Sequence, residues 1–181
     1  MSISCGGYTN HTEENNIKWV GDADYIDVGQ PADIADASAL GSYLHTLRIF
    51  PKPLNKSCYH LSVDPNVPHL LRLWFAPGNY SGFQNLSSFG FSLSIETSDM
   101  LAVQNITINM TNISPLYHEK VLVSSGRELY ICLIRTSETS DPFISAIELR
   151  TLRDGMYRHA KPGKMLSLIK RYDVCGKSPV R

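Results

Sequence analysis

The apolar residues of this chain recur mainly with a period of two, the period at which side chains alternate across a β-strand. Five segments show this alternation or a continuous apolar run of strand length: residues 70–75, 89–96, 104–112, 129–134 and 143–152. In residues 89–96 every second side chain is large and apolar, with small or polar residues between them. Such a segment is expected to bury one face and to expose the other.

Turn-forming residues separate these segments. Clusters of Pro, Gly, Asn, Asp and Ser occur at residues 64–66, 76–79, 124–126 and 140–142, and such clusters end strands. Short strands at this spacing are typical of an antiparallel sandwich. The single segment with a helix-like pattern, residues 34–44, is equally compatible with a loop. We therefore predict an all-β fold built around one β-sandwich.

The composition is that of a globular domain. Apolar residues make up 43% of the 181 positions and charged residues 19%, which excludes a disordered chain. Lys plus Arg equals Asp plus Glu at 17 each, so the chain has no basic excess with which to neutralise a nucleic-acid backbone. No apolar run approaches the roughly 20 residues that span a bilayer. We expect any membrane attachment to lie in segments beyond this sequence.

The placement of asparagine indicates the secretory pathway. Seven of the ten Asn residues stand in Asn-X-Ser/Thr sequons, the acceptor sites of N-glycosylation. With Ser and Thr at 29 of 181 positions, chance would place about 1.6 of ten Asn in sequons. The predicted glycosylation sites are Asn10, Asn55, Asn79, Asn85, Asn105, Asn109 and Asn112. We interpret this excess as the mark of an extracellular glycoprotein.

The segment 104–112 predicts which surface bears glycans. Ile106 and Ile108 fall on one face of the predicted strand, and Asn105 and Asn109 fall on the other. A face that carries sugar must point to solvent and would obstruct a large partner. We therefore expect ligands on loops at an edge of the sandwich or on the opposite sheet.

Four cysteines, Cys5, Cys58, Cys132 and Cys175, are disulfide candidates in an oxidising compartment. They allow one disulfide or two, and two disulfides allow three pairings. Cys132 lies inside an apolar run, where a buried free thiol is an equally good interpretation.

The acidic residues do not form a recognisable catalytic set. Asp22, Asp24 and Asp27 lie close together among Gly and Pro residues, and we interpret them as a solvated loop. Two alternatives stay open, because a glycosidase needs two carboxyl groups about 5–10 Å apart and Ca²⁺ needs oxygen ligands from one loop. No sequence motif for a nucleophile, a nucleotide or zinc is present. We expect no enzymatic activity, no metal and no cofactor.

Aromatic residues beside polar ones supply the candidate ligand contacts. Tyr25 follows Asp24, and Asn79, Tyr80 and Phe83 lie together in a Gly-rich segment. Aromatic rings stack on the C–H faces of sugars while polar groups bind the hydroxyls, and the same groups serve as peptide hot spots. We predict ligand binding at these five residues. In the alternative interpretation Tyr80 and Phe83 cap the core at one end of the sandwich.

The composition of the sequence changes after Leu152. Residues 153–155 and 161–164 contain Gly, Pro and basic residues typical of a linker, and a new apolar run begins at Met165. We predict a folded unit over residues 1–152. Residues 153–181 then form a linker and the beginning of another unit.

Five blocks of this sequence resemble plant malectin-like domains and occur in the order found in that family. They are SISCGG at 2–7, IKWVGDADYIDVG at 17–29, LRIFPKPLNKSCYHL at 47–61, LLRLWFAPGNYSGF at 70–83 and DPFISAIELRTL at 141–152. The segment LSLIKRYDVCG at 166–176 resembles the start of the second lobe of such proteins. Ser4 stands where the family has Asp, and Pro53 and Cys175 stand where the family has Gly.

The resemblance implies a jelly-roll-like, galactose-binding-like antiparallel β-sandwich in the ectodomain of a plant receptor-type protein, outside the cell or at the plasma membrane. Members of the family are implicated in sensing cell-wall carbohydrate or secreted signalling peptides. The expected partners are therefore such a ligand, a second malectin-like lobe and a co-receptor. The alternative is a structural spacer or autoinhibitory lobe that has no ligand of its own.

Overall fold

The strands predicted from the alternating pattern are present in the computed structural model. It describes residues 1–7, 10–35, 37–77, 88–110, 114–138, 141–153 and 155–170, and every structural statement below concerns those residues. The first seven strands are β1 (Ser2–Ser4), β2 (His11–Thr12), β3 (Lys18–Gly21), β4 (Gln30–Asp33), β5 (Thr46–Ile49), β6 (Lys56–Ser62) and β7 (Pro68–Phe75). The next seven are β8 (Ser88–Thr97), β9 (Met100–Asn109), β10 (Leu116–Val123), β11 (Glu128–Ile134), β12 (Phe143–Ile144), β13 (Ala146–Thr151) and β14 (Met165–Ser167).

The strands form three sheets. A seven-stranded sheet has the order β14-β10-β7-β13-β1-β3-β2, and a four-stranded sheet has the order β6-β11-β8-β9. The third sheet is smaller, with the order β12-β5-β4. Neighbouring strands are antiparallel except for β1 and β3, which run parallel. The all-β, antiparallel fold predicted from the sequence is therefore confirmed.

The core lies between the seven-stranded and the four-stranded sheet. Leu71, Leu73 and Phe75 of β7 are fully buried on one face of the larger sheet, as the period of two requires. The ring of Phe75 contacts that of Phe91 on β8 and that of Phe143 on β12, with centroid distances of 5.7 and 6.3 Å. These aromatic contacts join all three sheets into one core.

The predicted strand at residues 143–152 is divided at Ser145. Phe143–Ile144 pairs with β5 of the small sheet, and Ala146–Thr151 pairs with β7 of the large sheet. The hydroxyl of Ser145 accepts a hydrogen bond from the backbone N–H of Ala76 at 3.0 Å. This buried serine therefore anchors the point where the chain passes from one sheet to another.

Two regions left open by the sequence are now defined. Residues 34–44 contain two short 3-10 helices, Ala37–Ala39 and Ser42–Leu44. After Leu152 the chain leaves the large sheet and returns as β14, which pairs antiparallel with β10. The large sheet thus continues past residue 152, and the division of the chain at that residue stays a prediction.

A search of the described segments finds no helix with the length and apolar character needed to cross a membrane.

Candidate functional site

The outer face of the seven-stranded sheet carries charged and aromatic side chains in place of the usual polar surface. Because Leu71, Leu73 and Phe75 point into the core, the alternate residues Arg72 and Trp74 of β7 point outward. Arg72 lies opposite Glu119 of β10 on one side and opposite Glu148 of β13 on the other. The three charged side chains thus form one row across the sheet.

This row is a buried ion network. The exposed fractions of Arg72, Glu119 and Glu148 are 6%, 4% and 8%. Nε and Nη2 of Arg72 donate to Oε2 of Glu119 at 2.9 and 2.6 Å, and its Nη1 lies 3.5 Å from Oε1 of Glu148. Charges removed from water are tolerated only when they are paired in this way.

Two aromatic rings complete the surroundings of Arg72. Its guanidinium carbon lies 5.7 Å from the ring centroid of Trp74 and 5.4 Å from that of Tyr117. A cation over aromatic faces is attracted by their electron density, most strongly when water is excluded. The position and orientation of Arg72 are therefore determined by its neighbours, and its charge is neutralised by them.

Glu148 connects the network to a more exposed cation. Its carboxylate accepts hydrogen bonds from Nε1 of Trp74 at 2.9 Å and from Nη2 of Arg150 at 3.1 Å. Arg150 also donates to the hydroxyl of Ser2 at 2.8 Å. The side chain of Arg150 is 35% exposed, so it is the charged group of this network that a ligand can reach.

A cavity of about 510 Å³ opens above this network, and we call it the outer-face cavity. Its floor contains Arg72, Glu148 and Arg150. One wall is the pair Trp19 and Tyr43, whose rings are stacked with centroids 4.3 Å apart. The volume lies in the range of small-ligand and peptide-anchor sites.

Apolar side chains form the rest of the cavity wall. Ile17, Leu70, Leu152 and Met156 line it, with Tyr157 beside them. Met156 and Tyr157 are 47% and 40% exposed, although they lie in a segment that the sequence predicted to be a linker. Met156 and Tyr157 therefore contribute to the rim of the cavity.

One hydrogen-bond donor in the cavity wall has no partner in the part of the chain that the structure describes. The indole Nε1 of Trp19 is buried and makes no hydrogen bond within the described residues. Trp74, the other tryptophan, has its indole N–H bound to Glu148. Buried donors are nearly always satisfied in folded proteins, so the unpaired group marks a place where an acceptor would be stabilised.

Of the ligand contacts predicted from the sequence, the two that the structure describes, Asp24 and Tyr25, do not line this cavity. Asp24 is exposed, and Tyr25 is half-buried and packs against the core. Asn79, Tyr80 and Phe83 lie outside the described residues. The five remain predicted contacts. One feature of the sequence pointed toward this region: Arg72 interrupts an apolar strand. A buried arginine requires partners, and Arg72 lies with one of its partners in the floor of the outer-face cavity.

The interpretation of the acidic loop is confirmed for Asp24 and Asp27, which are exposed, but is wrong for Asp22, which is fully buried. Its carboxylate accepts hydrogen bonds from Arg48, from the hydroxyl of Tyr59 at 2.8 Å and from the backbone N–H of Gly6 at 2.9 Å. Arg48 binds both oxygens, and the other two partners bind Oδ2. Over the described part of the chain, no group of three or more His, Cys, Asp or Glu residues is placed to hold a metal ion.

Two of the candidate cysteines are joined. Cys58 on β6 and Cys132 on β11 lie directly opposite each other and form a disulfide. Cys5 is a buried free thiol, and burial raises its pKa well above the ordinary value. Cys175 lies outside the described residues.

The sequons that the structure describes are all accessible. Asn10 and Asn55 are exposed in loops, and Asn105 and Asn109 are exposed on β9. Ile106 and Ile108, which alternate with Asn105 and Asn109, are buried. The predicted orientation of this strand is therefore confirmed. The other three sequons, at Asn79, Asn85 and Asn112, lie outside the described residues.

Comparison with known proteins identifies the fold and the family profile. Residues 3–181 match the sequence profile described as a malectin-like domain, which confirms the resemblance drawn from the five sequence blocks. A probable LRR receptor-like protein kinase of Arabidopsis thaliana is 32% identical over 178 residues, which make up 95% of this chain and 19% of that protein. The present chain thus spans about a fifth of that relative.

Solved structures with a similar fold are plant receptor ectodomains. The extracellular domain of ANXUR2 from Arabidopsis thaliana gives a TM-score of 0.68 at 24% identity, covering 84% of this chain and 41% of that chain. A structure of the plant peptide RALF23 in complex with FER and LLG2 gives a TM-score of 0.63 at 16% identity, covering 85% of this chain and 40% of that chain. At these identities the likeness establishes the fold.

Proposed function

Because this chain belongs to the malectin-like domain family, we propose that it is an extracellular recognition module of a plant receptor-like protein. It binds a ligand and does not transform it. The related proteins are receptor-like kinases and their extracellular domains. Seven sequons support the same compartment, since N-glycans are added in the secretory pathway.

The observation that carries this proposal is the outer-face cavity. It combines apolar walls with a small number of convergent polar groups, which is the usual composition of a binding site. The floor is held rigid by the network around Arg72, so little ordering is needed when a ligand binds. A rigid, partly apolar site of this kind is suited to binding a ligand.

The ligand classes supported by the family are cell-wall carbohydrate and secreted signalling peptide. The structure of FER was solved in complex with the peptide RALF23 and with LLG2, which supports a peptide ligand and a co-receptor for the present chain. The exposed residue Asp24 and its neighbour Tyr25 remain candidate contacts for a carbohydrate. Asn79, Tyr80 and Phe83 are candidates of the same kind.

The parent protein is proposed to contain a second malectin-like lobe after this one. Support comes from the length of the ANXUR2 ectodomain chain, of which this chain covers 41%, and from the sequence block at residues 166–176. We place the chain outside the cell, with attachment to the plasma membrane through segments beyond it.

A spacer or autoinhibitory lobe without a ligand is the second candidate. One observation favours it: the buried charges at the floor of the cavity already neutralise each other, so the fold does not require a ligand. Deleting the lobe from the full-length receptor separates the two functions. Loss of the ligand response supports recognition, whereas a retained response with altered basal activity supports the spacer.

The direct test titrates the glycosylated chain with panels of cell-wall oligosaccharides and secreted plant peptides, measured by calorimetry. We expect saturable binding to a member of one panel. Met156→Glu at the cavity rim should weaken that binding about tenfold or more. Leu101→Glu, at an apolar residue that is 67% exposed on the other sheet, should leave it unchanged. Absence of saturable binding by this chain and by a chain extended to two lobes would contradict the proposal.

A further inference from the structure

We propose that the outer-face cavity binds an acidic peptide segment, with an apolar side chain against the aliphatic wall and a neighbouring carboxylate at Arg150. This inference rests on the proposed function and names the class of ligand. Three features of the cavity support it: the rings of Trp19 and Tyr43 are already covered, its exposed charged group is a donor, and the chain segment that supplies its rim is rich in basic residues.

The rings of Trp19 and Tyr43 in the cavity wall have no open face for a sugar. Trp19 and Tyr43 are only 2% and 4% exposed, and their rings stack on each other. The edge of Tyr43 also meets Trp74, with centroids 5.9 Å apart. A pyranose ring needs an accessible aromatic face for stacking. Of the described rings that line this cavity, only Tyr157 presents such a face. A carbohydrate site of ordinary type is therefore disfavoured.

The remaining wall is aliphatic. Ile17, Leu70, Leu152 and Met156 line the cavity without polar atoms other than the thioether of Met156. Such a surface gains free energy by removing apolar area from water, and a leucine-like or phenylalanine-like side chain supplies that area. Sugar hydroxyls would lose hydrogen bonds to water there without replacement. The wall therefore favours a peptide side chain.

The charged group that a ligand can meet is a donor. The guanidinium of Arg150 is partly exposed, and the buried indole N–H of Trp19 in the wall has no partner among the described residues. The carboxylate of Glu148 is occupied by Arg72, Arg150 and the indole of Trp74. The ligand must therefore supply acceptors, and a carboxylate makes the strongest hydrogen bonds to a guanidinium.

The chain segment that supplies the rim carries an excess of positive charge. Residues 150–164 contain five basic residues and one acidic residue. The basic ones are Arg150, Arg153, Arg158, Lys161 and Lys164, and all except Arg150 are exposed. These charges lie on the segment that also supplies Met156 and Tyr157 to the cavity. A field of one sign at the mouth of a site favours a ligand of the opposite sign.

The experiment selects random dodecapeptides displayed on phage against the glycosylated chain, with no prior choice of sequence. We expect the enriched peptides to share a large apolar residue next to Asp or Glu. Synthetic versions should bind about tenfold or more weakly to Met156→Glu and to Arg150→Gln. Leu101→Glu serves as the matched control and should bind as the wild type does.

The two tryptophans report the place of binding. In a ¹⁵N-labelled sample each gives one indole N–H signal, and Trp19→Phe identifies the signal of Trp19. The selected peptide should shift the Trp19 signal more than that of Trp74, whose N–H is bound to Glu148. An oligogalacturonide serves as the second probe, because it carries the carboxylates without an apolar side chain, and it should not displace the peptide.

Three results would overturn the inference. They are a selection without enrichment, enriched peptides that bind Met156→Glu as well as wild type, and an oligogalacturonide that shifts the Trp19 signal and displaces the peptide. In each case the proposed function survives if the titrations show a ligand elsewhere. It fails if neither ligand panel binds this chain or the chain extended to two lobes.

Discussion

Asp22 and Arg48 form a bidentate ion pair inside the fold, with Nε and Nη2 of Arg48 each 2.6 Å from a carboxylate oxygen of Asp22. Asp22 is fully buried at the end of β3, and Arg48 lies on β5. The pair thus links the large sheet to the small one. Hydrogen bonds from Tyr59 and from the backbone of Gly6 satisfy the remaining capacity of the carboxylate.

Loss of the Asp22 charge should destabilise the fold strongly. We expect Asp22→Asn to lower the free energy of unfolding by about 3 kcal/mol or more, because it leaves Arg48 largely buried without its counter-ion. Urea denaturation followed by circular dichroism measures the change. Asp24→Asn, at an exposed neighbour, is the control and should change stability by less than about 0.5 kcal/mol. An unchanged stability in Asp22→Asn would contradict the structural role of the pair.

The ion pair at the cavity floor should behave in the same way. Glu119→Gln removes the principal counter-charge of buried Arg72, so we expect a loss of about 3 kcal/mol in the free energy of unfolding. The control is Glu96→Gln, which breaks a more exposed pair with Lys56 and should cost no more than about 1 kcal/mol. Equal losses for both variants would show that burial does not set the strength of the Arg72 network.

The disulfide between Cys58 and Cys132 should stabilise the four-stranded sheet. It joins residues 74 positions apart, and removing such a link restores conformational freedom to the unfolded chain at a cost of about 3 kcal/mol. We expect dithiothreitol to lower the denaturation midpoint of the wild type. The double variant Cys58→Ala/Cys132→Ala should start at that lower midpoint and should not respond to the reductant. Peptide mapping without reduction checks the pairing directly.

The stability should fall in acid because of two histidines. Burial lowers the pKa of His118, with a further contribution from Lys120, and burial also lowers the pKa of His69. The unfolded chain therefore binds protons more readily than the folded one. The contribution of these two histidines to stability is fully present above about pH 6.5 and is lost as the pH falls below that value. Nδ1 of His118 accepts a hydrogen bond from Nε2 of Gln104 at 3.2 Å. Nδ1 must therefore be unprotonated, which requires a neutral imidazole ring.

The measurement compares the free energy of unfolding at pH 7.5 and at pH 5. His118→Gln should reduce the difference between the two values, and His69→Gln should reduce it independently. His159→Gln, at an exposed histidine, should leave the difference unchanged. A pH dependence that is the same in all three variants would assign the effect to other groups.

Glycans on β9 should be removable without loss of the fold. Asn105 is exposed, and its side-chain oxygen accepts a hydrogen bond from Ser92 at 2.8 Å, so the amide nitrogen remains available for a glycan. We expect Asn105→Gln and Asn109→Gln each to reduce the intact mass by one glycan. The stability should change by less than about 0.5 kcal/mol. Asn66→Gln, outside any sequon, is the control and should not alter glycan mass.

Much of the fold could be predicted from the sequence because strand alternation is a local property. In each segment with a period of two, such as residues 89–96, the alternation alone indicates which face is buried, whatever strand it pairs with. The same property predicted the solvent-facing side of β9 at Asn105 and Asn109. Local alternation does not report which sheet a strand joins, and for this reason the division at Ser145 was not foreseen.

The sequence by itself determined the all-β class, the family and the outward face of β9, and it predicted a protein of the secretory pathway. Only the tertiary structure decided the outer-face cavity, the burial of Asp22 and the pairing of Cys58 with Cys132. These features depend on residues far apart in the chain: Arg72 meets Glu119 after 47 positions, and strand pairing brings them together. A charged residue in an apolar strand indicates that a partner is needed, because an unpaired buried charge is unstable. Which partner it finds is set by the order of the strands.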